Sequence, residues 1–221
     1  MCYNFLRWQI EELEFSASEE YMLDRSIPFY NVILKCENYK KTEIVLPAGY
    51  YFRNYRTGDE KAWAKLEYEI GDFASVNEAE EYFISQYGQN ADGLRDRCFF
   101  VIDELKHVVG SCIAWKDSRE TELVASLHWL VVSPSHQGKK LGKALCQKVM
   151  EVFQERNEFP VYLHTQPWSY IAILLYVRQG FKLQMTDTFS HYENQYAQAM
   201  DTLKKILTVP QYDELVSNSA K

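Results

Sequence analysis

The chain has 221 residues, enough for one sizeable domain with its own core. It is 47% hydrophobic, carries 16 Tyr and 12 Phe, and has a formal net charge of −7. The apolar share argues against disorder, and the acidic balance argues against nucleic acid or an anionic membrane surface as the main partner.

Five cysteines are scattered at positions 2, 36, 98, 112 and 146, with no Cys-x-x-Cys pair. That usage suggests reduced thiols in a cytoplasm and no zinc site. The first dozen residues turn acidic too early for a signal peptide. No stretch reaches the ~18 apolar residues of a membrane span.

In chain order, residues 18–25 read as a short helix and 27–36 as a strand. Leu46-Pro47-Ala48-Gly49 is a turn and a boundary. We therefore expect an N-terminal extension over 1–47, a main domain over 48–208 and a tail over 209–221. The extension can add an edge strand, cover a site or form a contact between two copies. Residues 50–55 are expected as a strand. Thr57-Gly58-Asp59-Glu60 and Ser75-Val76-Asn77-Glu78 read as capping boxes. Each opens a helix, the first carrying Ala62, Trp63, Leu66 and Ile70 on one face, the second Ala79, Phe83 and Tyr87. Gly88 is its stop.

A hairpin follows over 98–102 and 108–115, then a strand over 123–132 that Pro134 ends. A helix after Gln137 carries Leu141, Ala144, Leu145, Val149, Val152 and Phe153 at helical spacing. Residues 161–165 are a strand, 169–179 a helix closed by Gly180, and 181–185 a strand. A helix spans 196–207, with room for a last strand before it. Clustered strands followed by interleaved ones predict an α/β fold, a mixed sheet with helices on both faces.

The segment after the 123–132 strand carries the chemistry. The first amides of a helix lack intrahelical partners and bear partial positive charge, which suits a diphosphate. Gly138 and Gly142 allow close backbone approach, and Lys139, Lys140 and Lys143 add positive charge to an acidic chain. Gln137-Gly138-Lys139-Lys140-Leu141-Gly142 resembles the coenzyme A loop of the GNAT family of N-acetyltransferases, Gln/Arg-x-x-Gly-x-Gly/Ala. Lys140 replaces the middle glycine. A negative φ there lets its ammonium reach a phosphate; a positive φ strains it by ~1 kcal/mol or more.

A second stretch is similar to that family's Asn-x-x-Ala-x-x-Leu-Tyr-x-x-x-Gly-Phe motif. Ala172, Leu175, Tyr176, Gly180 and Phe181 fall in register, and Ser169 stands where asparagine is usual. The likeness covers about residues 50–208. It implies a mostly antiparallel sheet splayed between its fourth and fifth strands, with acetyl-CoA as cosubstrate and no metal. It also implies cofactor contacts from Leu130, Val131, Val132, Gln137, Gly138, Lys139, Lys140, Leu141, Gly142, Lys143, Ser169 and Tyr176. Within it, the Leu130 N–H is the oxyanion donor and the Tyr176 hydroxyl the general acid.

The base is His128 or a water. By the strand's period of two, Ser126, His128 and Leu130 share one face, and the reference imidazole pKa of ~6.5 suits deprotonating an amine. The implied reaction is direct attack by a primary amine, small-molecule or peptide, in a ternary complex. Glu67, Asp72, Trp115, Trp168 and Tyr192 are candidates to receive a cationic amine. The acceptor itself and a homodimer are left open. The alternative is an acyl-CoA sensor of the same fold with little catalysis.

Overall fold

The computed structural model describes residues 24–220. The helix expected over 18–25 therefore lies almost wholly outside the described residues, as does Cys2.

The strands are β1 (Val32–Cys36), β2 (Tyr51–Asn54), β3 (Cys98–Ile102), β4 (Val108–Arg119), β5 (Glu122–Val132), β6 (Val161–Thr165), β7 (Lys182–Gln184) and β8 (Ser219–Ala220). They form one sheet in the order β2-β3-β4-β5-β6-β1-β7-β8. β5 with β6 and β7 with β8 are parallel, and every other neighbour is antiparallel. The helices are α1 (Glu60–Glu69), α2 (Val76–Tyr87), α3 (Ala91–Arg95), α4 (Leu141–Glu155), α5 (Tyr170–Arg178), α6 (Tyr196–Ile206) and α7 (Val209–Ser217).

Two cores flank the sheet. On one face α4, α5 and α6 bury Leu145, Val149, Phe153, Ile173 and Leu203 against Val101, Ala114 and Leu163. The apolar stripe expected on α4 is buried throughout, worth ~1.5–3 kcal/mol for each large side chain. On the other face α1 and α2 bury Trp63, Phe83 and Tyr87 against Phe100 and Ile113.

Several local expectations are corrected. The Thr57–Glu60 box does not form: α1 starts at Glu60 with Asp59 at its cap position and no side-chain cap bond, since the Asp59 carboxylate is taken by Arg53 and the Arg56 amide and Glu60 accepts from the Gly58 amide. The Ser75 cap of α2 does form, accepting from the Glu78 amide at 3.1 Å. α2 does end at Tyr87 with Gly88 as its C-cap, in a right-handed conformation, and a short 3-10 turn leads from it to α3.

The N-terminal strand is not at an edge. β1 lies between β6 and β7 and pairs antiparallel with both. It fills the place beside β7, and no strand forms between β7 and α6 among the described residues. The tail folds as α7 and β8, and β8 pairs with β7 through Leu183↔Ser219.

Two departures from regular pairing shape the site. β5 and β6 pair only at Ala125↔Val161 and Ser126↔Tyr162. Beyond them β5 runs on to Val132 with no β6 partner, which splays the sheet. The β4–β5 register also slips: Ser111 faces Val131 while Ile113 faces His128. Trp129 and Leu130 thus oppose Cys112 alone, a bulge, with Trp129 at φ 49. The bulge overturns the expected alternation. Trp129 packs with the α1–α2 core and Leu130 with the α4–α5 core, so Leu130 does not share a face with His128.

Candidate active site

A cleft of about 1790 Å³ passes through the splay. On the α4–α5 face it is lined by Leu130, Val131, Val132, Gln137, Gly138, Lys140, Leu141, Gly142, Lys143, Ser169 and Tyr176. These are the expected cofactor residues except Lys139. The Lys139 ammonium instead meets the Tyr50 hydroxyl at 3.0 Å and sits over that ring.

The loop is built from the end of β5. After a short turn at Pro134–His136, the Gln137 side-chain amide donates to the Val132 carbonyl at 2.9 Å and ties the loop to the strand. Gly138 takes φ 73 and Lys140 takes φ 64, ψ 15, the left-handed region, at the cap of α4. This is the strained alternative for Lys140. The first turn of α4 holds no acidic residue, and its Leu141, Gly142 and Lys143 line the cleft. At Gly142 an added Cβ would lie 3.6 Å from Leu175 and 3.8 Å from Val132. The glycine thus sits where α4, α5 and β5 converge. Ser169 caps α5 and its hydroxyl accepts from Gln166 at 2.9 Å.

Tyr176 is buried, with its ring edge-on to Phe181. Burial pushes its phenol well above the ordinary value.

On the opposite face the cleft meets His128 and Asp117. The imidazole is held at both nitrogens: Nε2 lies 2.7 Å from Asp117 Oδ2, and Nδ1 lies 2.7 Å from the Tyr87 hydroxyl. Burial would raise the Asp117 carboxyl, but the hydrogen bond and charge of His128 outweigh it and hold it below its ordinary value. The ionised carboxylate accepts from Nε2–H. In the neutral ring Nδ1 then accepts from Tyr87.

A profile of the acetyltransferase (GNAT) family matches residues 61–181, more than half of the chain. The chain belongs to the GNAT acetyltransferases. No curated protein sequence matches it. Two solved GNAT structures resemble it in fold. One is the GCN5-related N-acetyltransferase of Sphaerobacter thermophilus, with TM-score 0.55 and 20% identity over 71% of this chain and 49% of that one. The other is a GNAT-family acetyltransferase of Colwellia psychrerythraea, with TM-score 0.54 and 15% identity over 71% and 54%. The chain thus spans about half the length of these structures.

This GNAT chain also holds site residues that its sequence did not announce. Asp117 and Tyr87 reach His128 from 11 and 41 residues away, and only the sheet register and the packing of α2 bring them there. Of the acceptor candidates, Asp72, Trp168 and Tyr192 line the cleft, while Glu67 and Trp115 do not. Glu67 is fully buried on α1, and its Oε1 has no hydrogen-bond partner. Burial, then the nearby Asp72 charge, push its carboxyl well above the ordinary value. Among the described residues no cluster of His, Cys, Asp and Glu could hold a metal, and no helix is long and apolar enough to cross a membrane.

Proposed function

We propose that this acetyltransferase moves an acetyl group from acetyl-CoA to a primary amine, by direct attack within a ternary complex. One observation carries the reading. The glycine-lysine loop at the start of α4 and the His128–Asp117 pair open on one continuous cleft through the splayed sheet. A donor held on one face can therefore meet an acceptor held on the other.

The residues fit such a donor. The α4 amides, Gly138, Lys140 and Lys143 suit the diphosphate. The small Gly142 leaves room beside Val132 and Leu175 for the arm, and Ser169 offers a hydroxyl in place of the usual amide. Leu130 and Val132 line the cleft where β5 has no β6 partner. The Leu130 N–H is our oxyanion donor.

In the transfer, the amine nitrogen bonds the acetyl carbon as the carbon–sulfur bond breaks. Tyr176 gives its proton to the departing sulfur and regains one from solvent. The proton that the amine loses passes to a water, or to His128 Nδ1 once the Tyr87 hydroxyl gives it up, and Asp117 orients the ring through Nε2–H. Holding both reactants in line supplies much of the acceleration, ~7–11 kcal/mol at best. The four described cysteines are free and buried, which fits a reducing cytoplasm.

A second reading, an acyl-CoA sensor with little turnover, draws support from the engagement of both His128 nitrogens. Calorimetry with CoA and acetyl-CoA, followed by thiol release on an amine panel, separates the two. Binding with turnover supports the enzyme, and binding without turnover on any amine supports the sensor. Absence of heat with either ligand removes both. Gly142→Asp is expected to abolish binding through bulk and like charge.

A further inference from the structure

The cleft has two chemically opposite ends. Among the described lining residues, every carboxylate lies on the side of α1, α2 and the N-terminal approach: Asp24, Asp72 and Asp117. The lysines, Lys140, Lys143 and Lys205, lie on α4 and α6. Charge at the acceptor end is further reduced by pairing. Asp72 is bound to Arg25 at 2.7 Å, and that guanidinium also donates to the Gly71 carbonyl. Asp24, exposed at the approach, keeps its charge, which the hydrogen bonds from Ser26 favour. His164 is neutral near pH 7, because burial pushes it down to about 4. Asp117, half-buried beside the imidazole and not paired with a fixed cation, is the inner anion that a ligand can address.

The walls of this end are aromatic. The bulge in β5 presents Trp129 to it, edge-on to Trp63 at 5.3 Å and to Tyr82 at 5.3 Å, with Phe73 at 5.7 Å. Across the cleft Tyr192 stacks flat on His164, with centroids 3.8 Å apart and planes 9° from parallel. Ring faces and edges fixed in this way favour a flat apolar body and a cation near it. They give no compensation for burying sugar hydroxyls or a phosphate.

We propose that the acceptor is a primary amine on a flat, apolar body, with its ammonium read by Asp117 and its body between Trp129 and the Tyr192–His164 stack. The proposal rests on the acetyltransferase reading. It adds that anionic acceptors are rejected, since Arg25, the cation on that side, is already paired.

The test uses the full chain and four acceptors with acetyl-CoA: 2-phenylethylamine, spermidine, glucosamine 6-phosphate and a lysine-bearing peptide. We expect kcat/KM for 2-phenylethylamine to exceed each of the others at least tenfold. Asp117→Asn should raise its KM tenfold or more while the Kd for CoA stays unchanged, and Trp129→Leu should act in the same direction. Calorimetry of 2-phenylethylamine against 2-phenylethanol, without cofactor, reads the site on the unaltered protein. The amine should bind at least tenfold more tightly. Preference for spermidine, the phosphate or the peptide overturns the proposal but leaves the acetyltransferase reading standing. So does equal binding of amine and alcohol. Tight amine binding with no affinity for CoA sinks the acetyltransferase reading and keeps the site.

Discussion

The Tyr87 hydroxyl lies 2.7 Å from Nδ1 of His128, and this bond ties the ring to α2 from behind the cleft. Tyr87 is itself buried, and burial holds its phenol well above the ordinary value. It is therefore a fixed donor, and its loss would leave Nδ1 without a partner. Tyr87→Phe should cost about 1–2 kcal/mol of stability and lower kcat by roughly tenfold. Thermal melts and a pH–rate profile check both. A shifted profile indicates that Tyr87 tunes the base, whereas a uniform loss at every pH indicates packing alone.

Lys140 stands left-handed at the head of α4. Glycine adopts that conformation freely, so Lys140→Gly should stabilise the fold by about 1 kcal/mol. The same change removes a charge from the loop and should weaken CoA binding severalfold, more at low salt than at high. Melting and calorimetry on one variant are expected to move in opposite directions. Weaker binding without a gain in stability would mean that surrounding contacts already offset the strain.

Glu67 should respond to pH in the opposite sense from most carboxylates. Its value in the fold is raised by burial. The stability it contributes is present at low pH and is lost as pH rises through that raised value. Glu67→Gln should therefore raise the melting temperature at about pH 8 and change it little at about pH 4. Melts across that range decide it.

Asp187 behaves in the usual way. Lys35 at 3.0 Å, Tyr162 at 3.0 Å and Arg119 at 2.8 Å converge on it, joining β1, β6 and β4. Burial acts to raise its carboxyl, but these partners hold it below the ordinary value. Its contribution is present above the unfolded carboxylate range and fades as pH falls through its own lower value. Asp187→Asn should cost about 1–2 kcal/mol at neutral pH, a discounted figure because Arg119 is 41% exposed. The deficit should shrink below about pH 4.

What was legible in the sequence was local. Helical periodicity found α4, and Gln137, Gly142 and Tyr176 marked a loop and a helix that do line one cleft. The bulge at Trp129 was not legible. Alternation along a strand carries no mark of one extra residue, and the slip shows only when Cys112 is seen opposite two partners. Asp117 was missed for a related reason, since its link to His128 depends on register and not on spacing. The interior place of β1 depends on pairing with residues 129 and 149 positions away, a distance that propensity cannot span.

That placement bears on how the molecule is made. Val32–Cys36 cannot find its two neighbours until Val161–Thr165 and Lys182–Gln184 have been synthesised. Closing so large a loop makes this half slow to assemble, and until then the strand exposes two unpaired edges on the nascent chain. A chain cut short before residue 182 would lack one of β1's two neighbours.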